Sequence, residues 1–478
     1  MERREFLLGT ASVALLTKMV PAQAVVPATA HTGAAPKAVP PKVGMGPARL
    51  NVRDEAFGAK GDGTTKDTLA IQTALDRCAV LGGGEVLVPA GQYLTGSIQL
   101  RTNTLLRLAE GAVLLGSPDM DDYLVTTVRW EGRWIPGHIG LVNAIDAHGV
   151  GVAGPGKIAG NEALGGRPVG PVGSGPKSLR HPALVECIRC DGVFLQGFST
   201  SYARMWNVHP SNCTNVWVEG LTIRSNTGNG DGIDVDSCKH VHISKCDIST
   251  GDDCISLKSG RGLEGFTLKQ ITEDVTIEDC TFSDNIFACI GIGSETSGGI
   301  RNVKVRRCKF TGAKTFALYI KSRPGRGAAI EDLLFEDLDV SGTYGGGLLR
   351  FNLLASGLLG EDPVPGLEGI PQGNGFLFRN IRIAPDAVIP VLVDGAGVHP
   401  DKPLQGLHLE NISGPCKKGI TLANAHAVVI RGVKVTGFDG PLLSTLNVTG
   451  VGPVGAAKAV ALKTPDAVPV REKPFKLE

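Results

Sequence analysis

Charge of one sign is what this sequence most plainly lacks: 48 Lys and Arg stand against 47 Asp and Glu, a net +1. No whole-chain field is left to hold nucleic acid or an anionic membrane as the main partner. Long apolar runs are missing beyond the first two dozen residues, which excludes a multi-span membrane protein. Aromatic residues are scarce, at 5% of 478, whereas Gly, at 65, is about twice its usual share. That diet suits many tight turns and poorly suits a helical bundle. No Cys/His cluster has zinc spacing, and hairpin dipeptides between apolar runs are few.

The N-terminus reads as an address. Residues 1–24 carry Arg3 and Arg4, an apolar stretch from Phe6 to Leu16, and Ala22-Gln23-Ala24 as a cleavage site. Adjacent arginines followed by Glu5, Phe6 and Leu7 match the twin-arginine export pattern, with an ordinary signal peptide or anchored helix as the alternative. A periplasmic or secreted bacterial protein is expected, with no membrane contact after the signal is removed. Residues 25–48, rich in Ala and Pro, read as a linker, residues 49–462 as one domain and residues 463–478 as a tail. Eleven cysteines in an exported chain suggest disulfides, yet they sit inside strand-like patterns and are expected to be buried free thiols. A chain that folds before export, in a reducing compartment, agrees with that.

The informative signal is a repeat. Val193-Phe194-Leu195, Val216-Trp217-Val218, Val241-His242-Ile243, Val275-Thr276-Ile277 and Val303-Lys304-Val305 are each followed three residues later by Phe198, Leu221, Cys246, Cys280 or Cys308. The leading valines are spaced by 23, 25, 34 and 28 residues, and later copies begin near Leu333, Phe376, Leu407 and Val428. Cys190, Cys213 and Cys238 form one cysteine column, and Cys246, Cys280 and Cys308 another. Alternation places one apolar face on each unit, and only stacking on the next unit can cover it. The fold expected is all-β, a right-handed parallel β-helix, with a sandwich or propeller as the weaker alternative. Thr68–Leu81 puts Leu69, Ile71, Ala74, Leu75 and Cys78 near helical spacing behind Thr64–Asp67 as cap candidates. It is expected to cap the open N-terminal end, with Gly82-Gly83-Gly84 stopping the helix and Glu85–Pro89 opening the first coil.

Chemistry is expected where acids converge. Asn229-Gly230-Asp231-Gly232-Ile233-Asp234 and Gly251-Asp252-Asp253-Cys254 lie 21 residues apart, counted from Asp231 to Asp252, so about one coil separates them. Three crowded carboxyls raise the proton affinity of one and leave another ionised, the division of labour that glycosidic cleavage requires. Turn-corner hydrogen bonding and calcium binding are the competing readings of such acids.

The segments Asn229–Ser237 and Ser249–Leu257 resemble the paired catalytic signature of glycoside hydrolase family 28, the polygalacturonase family. Supporting similarity runs from Asp54 to about Val435 and includes Phe57–Gly63, Arg129-Trp130-Glu131-Gly132, Trp206–Pro210 and Gly293–Gly299. The resemblance implies Asp252 as general acid, Asp231 and Asp253 as the carboxylates that position and deprotonate water with inversion, and neither metal nor cofactor. An oligo- or polysaccharide of pectic type is the implied partner. Two departures stand out: Phe287 replaces the family's histidine, and Tyr319 replaces its arginine, while Lys321 survives. Tyrosine cannot make the bidentate grip of arginine on a carboxylate. Galacturonate binding near the cleavage point is therefore expected to weaken in favour of stacking, on a neutral or deoxy sugar for example.

Lys321, Tyr319, Phe287, Glu295 and Asn229 are the candidate substrate contacts. Arg323 and Arg326 read as solvated loop residues ahead of the alternative that they substitute for the lost arginine's charge, His209 as a structural hydrogen-bonder, and Trp130 and Trp134 as either sugar platforms or packing. The unit from Ser341 to Asn374 is longer than its neighbours and hints at a wall across one end of the cleft. A non-catalytic carbohydrate-binding solenoid and a polysaccharide lyase are the alternative functions, and Lys321 is the evident base for the second.

Overall fold

The computed structural model describes residues 39–164, 179–357 and 362–452. The expected signal segment, the first part of the linker and the C-terminal tail lie outside them.

Parallel pairing carries the repeat through the molecule. Val193 pairs with Val216, Val216 with Val241, Val241 with Val275 and Val275 with Val303, followed by Leu333, Phe376 and Leu407 in the same column. The valines are buried because each coil covers the apolar face of the one before, which gives a right-handed parallel β-helix. All eleven cysteines are buried and free of disulfides. The first column is bonded along its length: the Cys190 amide donates to Cys213 Sγ at 3.4 Å and the Cys213 amide to Cys238 Sγ at 3.3 Å.

Each coil must bend where a strand ends, and the bends also fall in columns. Gly192, Asn215, His240, Asp274, Asn302, Asp332 and Gly375 all take left-handed backbone, with φ between 52° and 76°. Gly, Asn and Asp recur there because that region penalises other side chains.

Helix α1 spans Thr68–Val80 and buries Ile71, Ala74, Leu75 and Cys78 against the first coil. Leu69, expected on that face, is instead 77% exposed. Asp67 stands at the N-cap position without capping the helix: its carboxylate accepts from the amides of Lys60 and Gly61, tying the preceding loop. The first coil also starts earlier than expected, since Ala48–Asn51 is a strand paired in parallel with Gly84–Leu87.

Two insertions depart from the coil. Val125–Trp130 and Arg133–His138 form an antiparallel hairpin. A short helix, α2 (Gly262–Leu268), accounts for the 34-residue spacing between Val241 and Val275. No helix among the described residues is long and apolar enough to cross a membrane.

Candidate active site

One sheet of the solenoid contains the strands Ile233–Asp236, Ile255–Lys258, Ile290–Ile292, Phe316–Lys321 and Gly347–Asn352, stacked in register. Alternation sends Ile233, Ile255, Ile290 and Leu318 into the core and the residues between them outward. Asp234, Ser256, Gly291, Tyr319 and Arg350 therefore form one outward column, and Asp236 and Lys258 begin a second that includes Lys321 and Asn352.

Asp231, Asp252 and Asp253 lie just ahead of the first two of these strands, and each offers a carboxylate oxygen within 4.8 Å of the others. The chain holds them there by backbone bonds between coils: the Asn207 amide donates to Asp231 O and the Gly232 amide to Asp253 O, each at 2.9 Å. Asp231 and Asp253 are buried and Asp252 is half-buried, so one acid of the three faces the open side.

Their surroundings set them apart. Lys321 Nζ lies 2.7 Å from Asp253 Oδ2, and the Ala288 amide donates to Asp253 Oδ1 at 3.2 Å, so a cation and a backbone donor are both spent on this one carboxylate. Burial, and then the charge of Asp253, push Asp252 up. Burial and the neighbouring Asp234 and Asp252 push Asp231 well up, and its Oδ1 has no hydrogen-bond partner. Space for Asp253 is left by Gly291, where a Cβ would sit 2.4 Å from Asp253 Oδ2.

A second layer of charge lies beside the three acids, and of its members Glu295 is a candidate from the sequence whereas Lys258 and Asp234 are not. Lys258 Nζ is 3.0 Å from Asp234 Oδ1, 3.7 Å from Glu295 Oε2 and 2.8 Å from Ser256 Oγ, and it faces the Trp206 ring at 5.3 Å. Burial raises Asp234 to about 7 against the opposing pull of Lys258. Glu295 is held at about 2: burial acts upward and is outweighed by Lys258, Arg326 and Arg261. Both Lys258 and Asp234 occupy outward positions of strands whose motifs were already in view, so alternation was the signal for them. Arg326 is a correction. It is fully buried, 3.9 Å from Glu295, and donates to Ser294 O at 2.9 Å, because its loop folds over the cleft rather than into solvent.

Phe287, Phe316 and Tyr319 form an aromatic patch one and two coils beyond the acids, with ring centroids 5.8–6.0 Å apart. Lys321 Nζ stands 4.6 Å from the Phe287 centroid and 5.4 Å from that of Tyr319. Asn229 lies at a turn with φ 60° and is partly exposed. His209 is buried, with Nδ1 3.1 Å from Glu186 Oε1, as a structural hydrogen-bonder would be. Trp130 stacks on Trp206 at 5.7 Å, and Trp134 lies under Arg129 at 5.2 Å. The hairpin that carries them is anchored by Arg129 on Asp236 at 2.9 Å and by Glu131 on Arg261 at 3.1 Å.

The long unit at Ser341–Asn374 packs against α2 and against the loop that carries Arg323, the Leu263 amide donating to Asp362 O at 2.7 Å and Arg323 to Gly357 O at 2.6 Å. The arrangement offers one half-buried acid on the open side, one carboxylate paired with a lysine, and a third acid close enough to the second for one water to bond both.

Known proteins carry the same plan. A "Probable polygalacturonase" of Vitis vinifera is 28% identical over 374 residues, 75% of this chain and 72% of that protein. An exo-poly-alpha-D-galacturonosidase of Dickeya chrysanthemi is 25% identical over 59% of this chain, which spans 53% of that protein's length. Among solved structures, a family 28 exopolygalacturonase of Yersinia enterocolitica superposes with a TM-score of 0.71 at 21% identity, covering 84% of this chain and 78% of that one. The sequence pattern of the glycosyl hydrolases family 28 matches residues 80–348, more than half of the chain and the whole of the acid cluster, and the chain belongs to that family.

Proposed function

We propose that the protein is an exported glycosidase that hydrolyses galacturonate-containing plant polysaccharide with inversion. The observation that carries hydrolysis is the convergence of Asp231, Asp252 and Asp253 to within 4.8 Å beside a lysine that neutralises only one of them. Inversion is carried over from the family resemblance, since this spacing is shorter than the roughly 6.5–9.5 Å usual between an inverting acid and base. Asp252, the one acid of the three on the open side, is the proton donor to the leaving oxygen as the glycosidic bond breaks. Asp253 is the base that takes a proton from water, and Asp231 holds that water from its other side. Oxygens this close can both bond one water molecule, since two O–H···O contacts of about 2.7 Å span the gap. The polygalacturonase names of its relatives support the substrate class. Phe287, the one partly exposed ring beside the buried Phe316 and Tyr319, supports a sugar stacked, rather than gripped by its carboxylate, next to the cleavage point.

Lyase chemistry is disfavoured by the same geometry. It needs a free base, and both lysines here are tied to carboxylates, which outweigh burial and raise their proton affinity. A non-catalytic role would show as glycan binding without turnover.

The deciding experiment is a screen of defined pectic oligosaccharides with product analysis, run on the parent and on Asp252→Asn. Saturated products, an inverted anomer by NMR, and a loss of at least about 10³-fold in kcat for the variant at unchanged circular dichroism are expected. Full activity of Asp252→Asn would sink the assignment. Export rests on Arg3 and Arg4. Their joint replacement by lysine is expected to strand the protein in the cytoplasm, as fractionation would show.

A further inference from the structure

The cations next to the acids are not open to substrate: Lys321 is bound to Asp253 at 2.7 Å and Lys258 to Asp234 at 3.0 Å. Arg350 differs. It is the register partner of Tyr319, which pairs with Gly291 beside the Asp253 carboxylate, so it lies two coils, about 10 Å, along the solenoid from that acid group. Its guanidinium carbon lies 5.5 Å from the Tyr319 centroid and 5.4 Å from that of Phe316, so the group rests against both rings. The side chain remains 37% exposed. Asp394, the next residue of the column, is 3.6 Å away, too far for a hydrogen bond, and an exposed pair of that kind adds little. A planar, underused fork on a cleft floor suits a carboxylate, which it can meet with two parallel bonds.

The face stays receptive beyond that point. Thr421, the register partner of Asp394, lines a cavity of about 350 Å³ together with Lys417, Lys418, Asp439 and Ser444. An anionic chain leaving Arg350 would meet two lysines and one carboxylate there.

We infer that Arg350, mounted on Tyr319 and Phe316, binds the carboxylate of an acidic sugar unit beyond the one beside the cleaved bond. The cleft would then recognise its polymer through charge at that unit while stacking the unit beside the acids. This inference rests on the glycosidase reading above, and the experiment separates the two. Asp252→Asn serves as a non-turning-over parent, and calorimetric titration follows galacturonate oligomers of two to six units on it, with and without Arg350→Gln.

Arg350→Gln is expected to weaken hexamer binding by about tenfold or more, the loss of one charge-assisted contact, with a smaller ratio for the dimer. The affinity of the parent for the hexamer falls with added salt, and that of the Arg350→Gln variant falls less. Arg350→Lys recovers part of the loss, and a fully methyl-esterified hexamer binds the parent and Arg350→Gln alike. Equal hexamer affinity with and without Arg350→Gln, or no hexamer binding by the parent, overturns the inference. Hydrolysis of galacturonate oligomers by the wild type alongside Arg350-independent binding defeats this inference alone. Arg350-dependent binding by a wild type that releases no product defeats the hydrolase reading alone.

Discussion

The acids are governed at the residue scale by how neighbours move their protons, and two of them give opposite pH signatures. Glu186 is fully buried in a bidentate pair with Arg180, at 2.6 and 2.8 Å, and its pKa falls to about 2 because Arg180 outweighs burial. A pKa below the unfolded value means stability that is present above pH ~4.5 and lost as pH falls towards 2. Glu186→Gln is expected to cost about 3 kcal/mol or more at neutral pH by leaving Arg180 without its anion, and to flatten the acid side of the curve of melting temperature against pH. Asp234 runs the other way. Raised by burial to about 7, it binds a proton in the folded chain that the unfolded chain has released, so stability declines as pH rises from about 4 to 7. Calorimetric scans of Asp234→Asn across that window should lack the decline. Gly291 yields a third outcome. A methyl group there meets Asp253 Oδ2, so Gly291→Ala should displace the base and lower kcat by about 10²-fold or more while the strand, which has ordinary extended backbone at that point, still forms.

The element scale explains what the sequence disclosed. The inward valines recur from coil to coil, and each pairs with the copy that spacing alone nominated. Asp231, Asp252 and Asp253 were legible for the same reason, because a solenoid converts a sequence offset of one coil into contact. Lys258, Asp234 and Gly291 were not singled out, although each occupies an outward position of a cleft strand; a lone lysine or glycine carries no signal until its neighbours in the adjoining coils are known. Arg326 was misjudged because its burial comes from a loop-to-loop contact with no period.

The bends are the other element-scale feature, and they admit a direct test. Ala427 is an exposed alanine with φ 53°, a conformation that costs an L-residue about 1–2 kcal/mol. Glycine removes that cost and adds about 0.5–1 kcal/mol of chain entropy. Ala427→Gly should therefore raise stability slightly, by about 0.5 kcal/mol, in chemical denaturation. Val428→Ala, one residue along and buried, should lower it.

Taken as a whole, the molecule is a stack in which each coil is satisfied by its neighbours, so its weakest points are its ends. The first coil presents Ala48–Asn51 and Gly84–Val88, and α1 is the element packed on it. A bare end of this kind exposes apolar side chains and an open template for another chain, the situation that terminal caps exist to prevent. Ile71 and Leu75 on α1 are fully buried against that coil, and neither contributes to the distant acids. Leu75→Asp places a charge where no partner is available, which should cost well over about 3 kcal/mol locally and lift the helix from the coil. Two readouts then separate in a way that a two-state globule would not allow. Light scattering should report concentration-dependent association of the variant at its unmasked end. Specific activity of the remaining soluble monomer should stay near that of the wild type, because the cleft strands are held by coils on both sides. Loss of activity in step with association would instead show that the end and the cleft unfold as one unit.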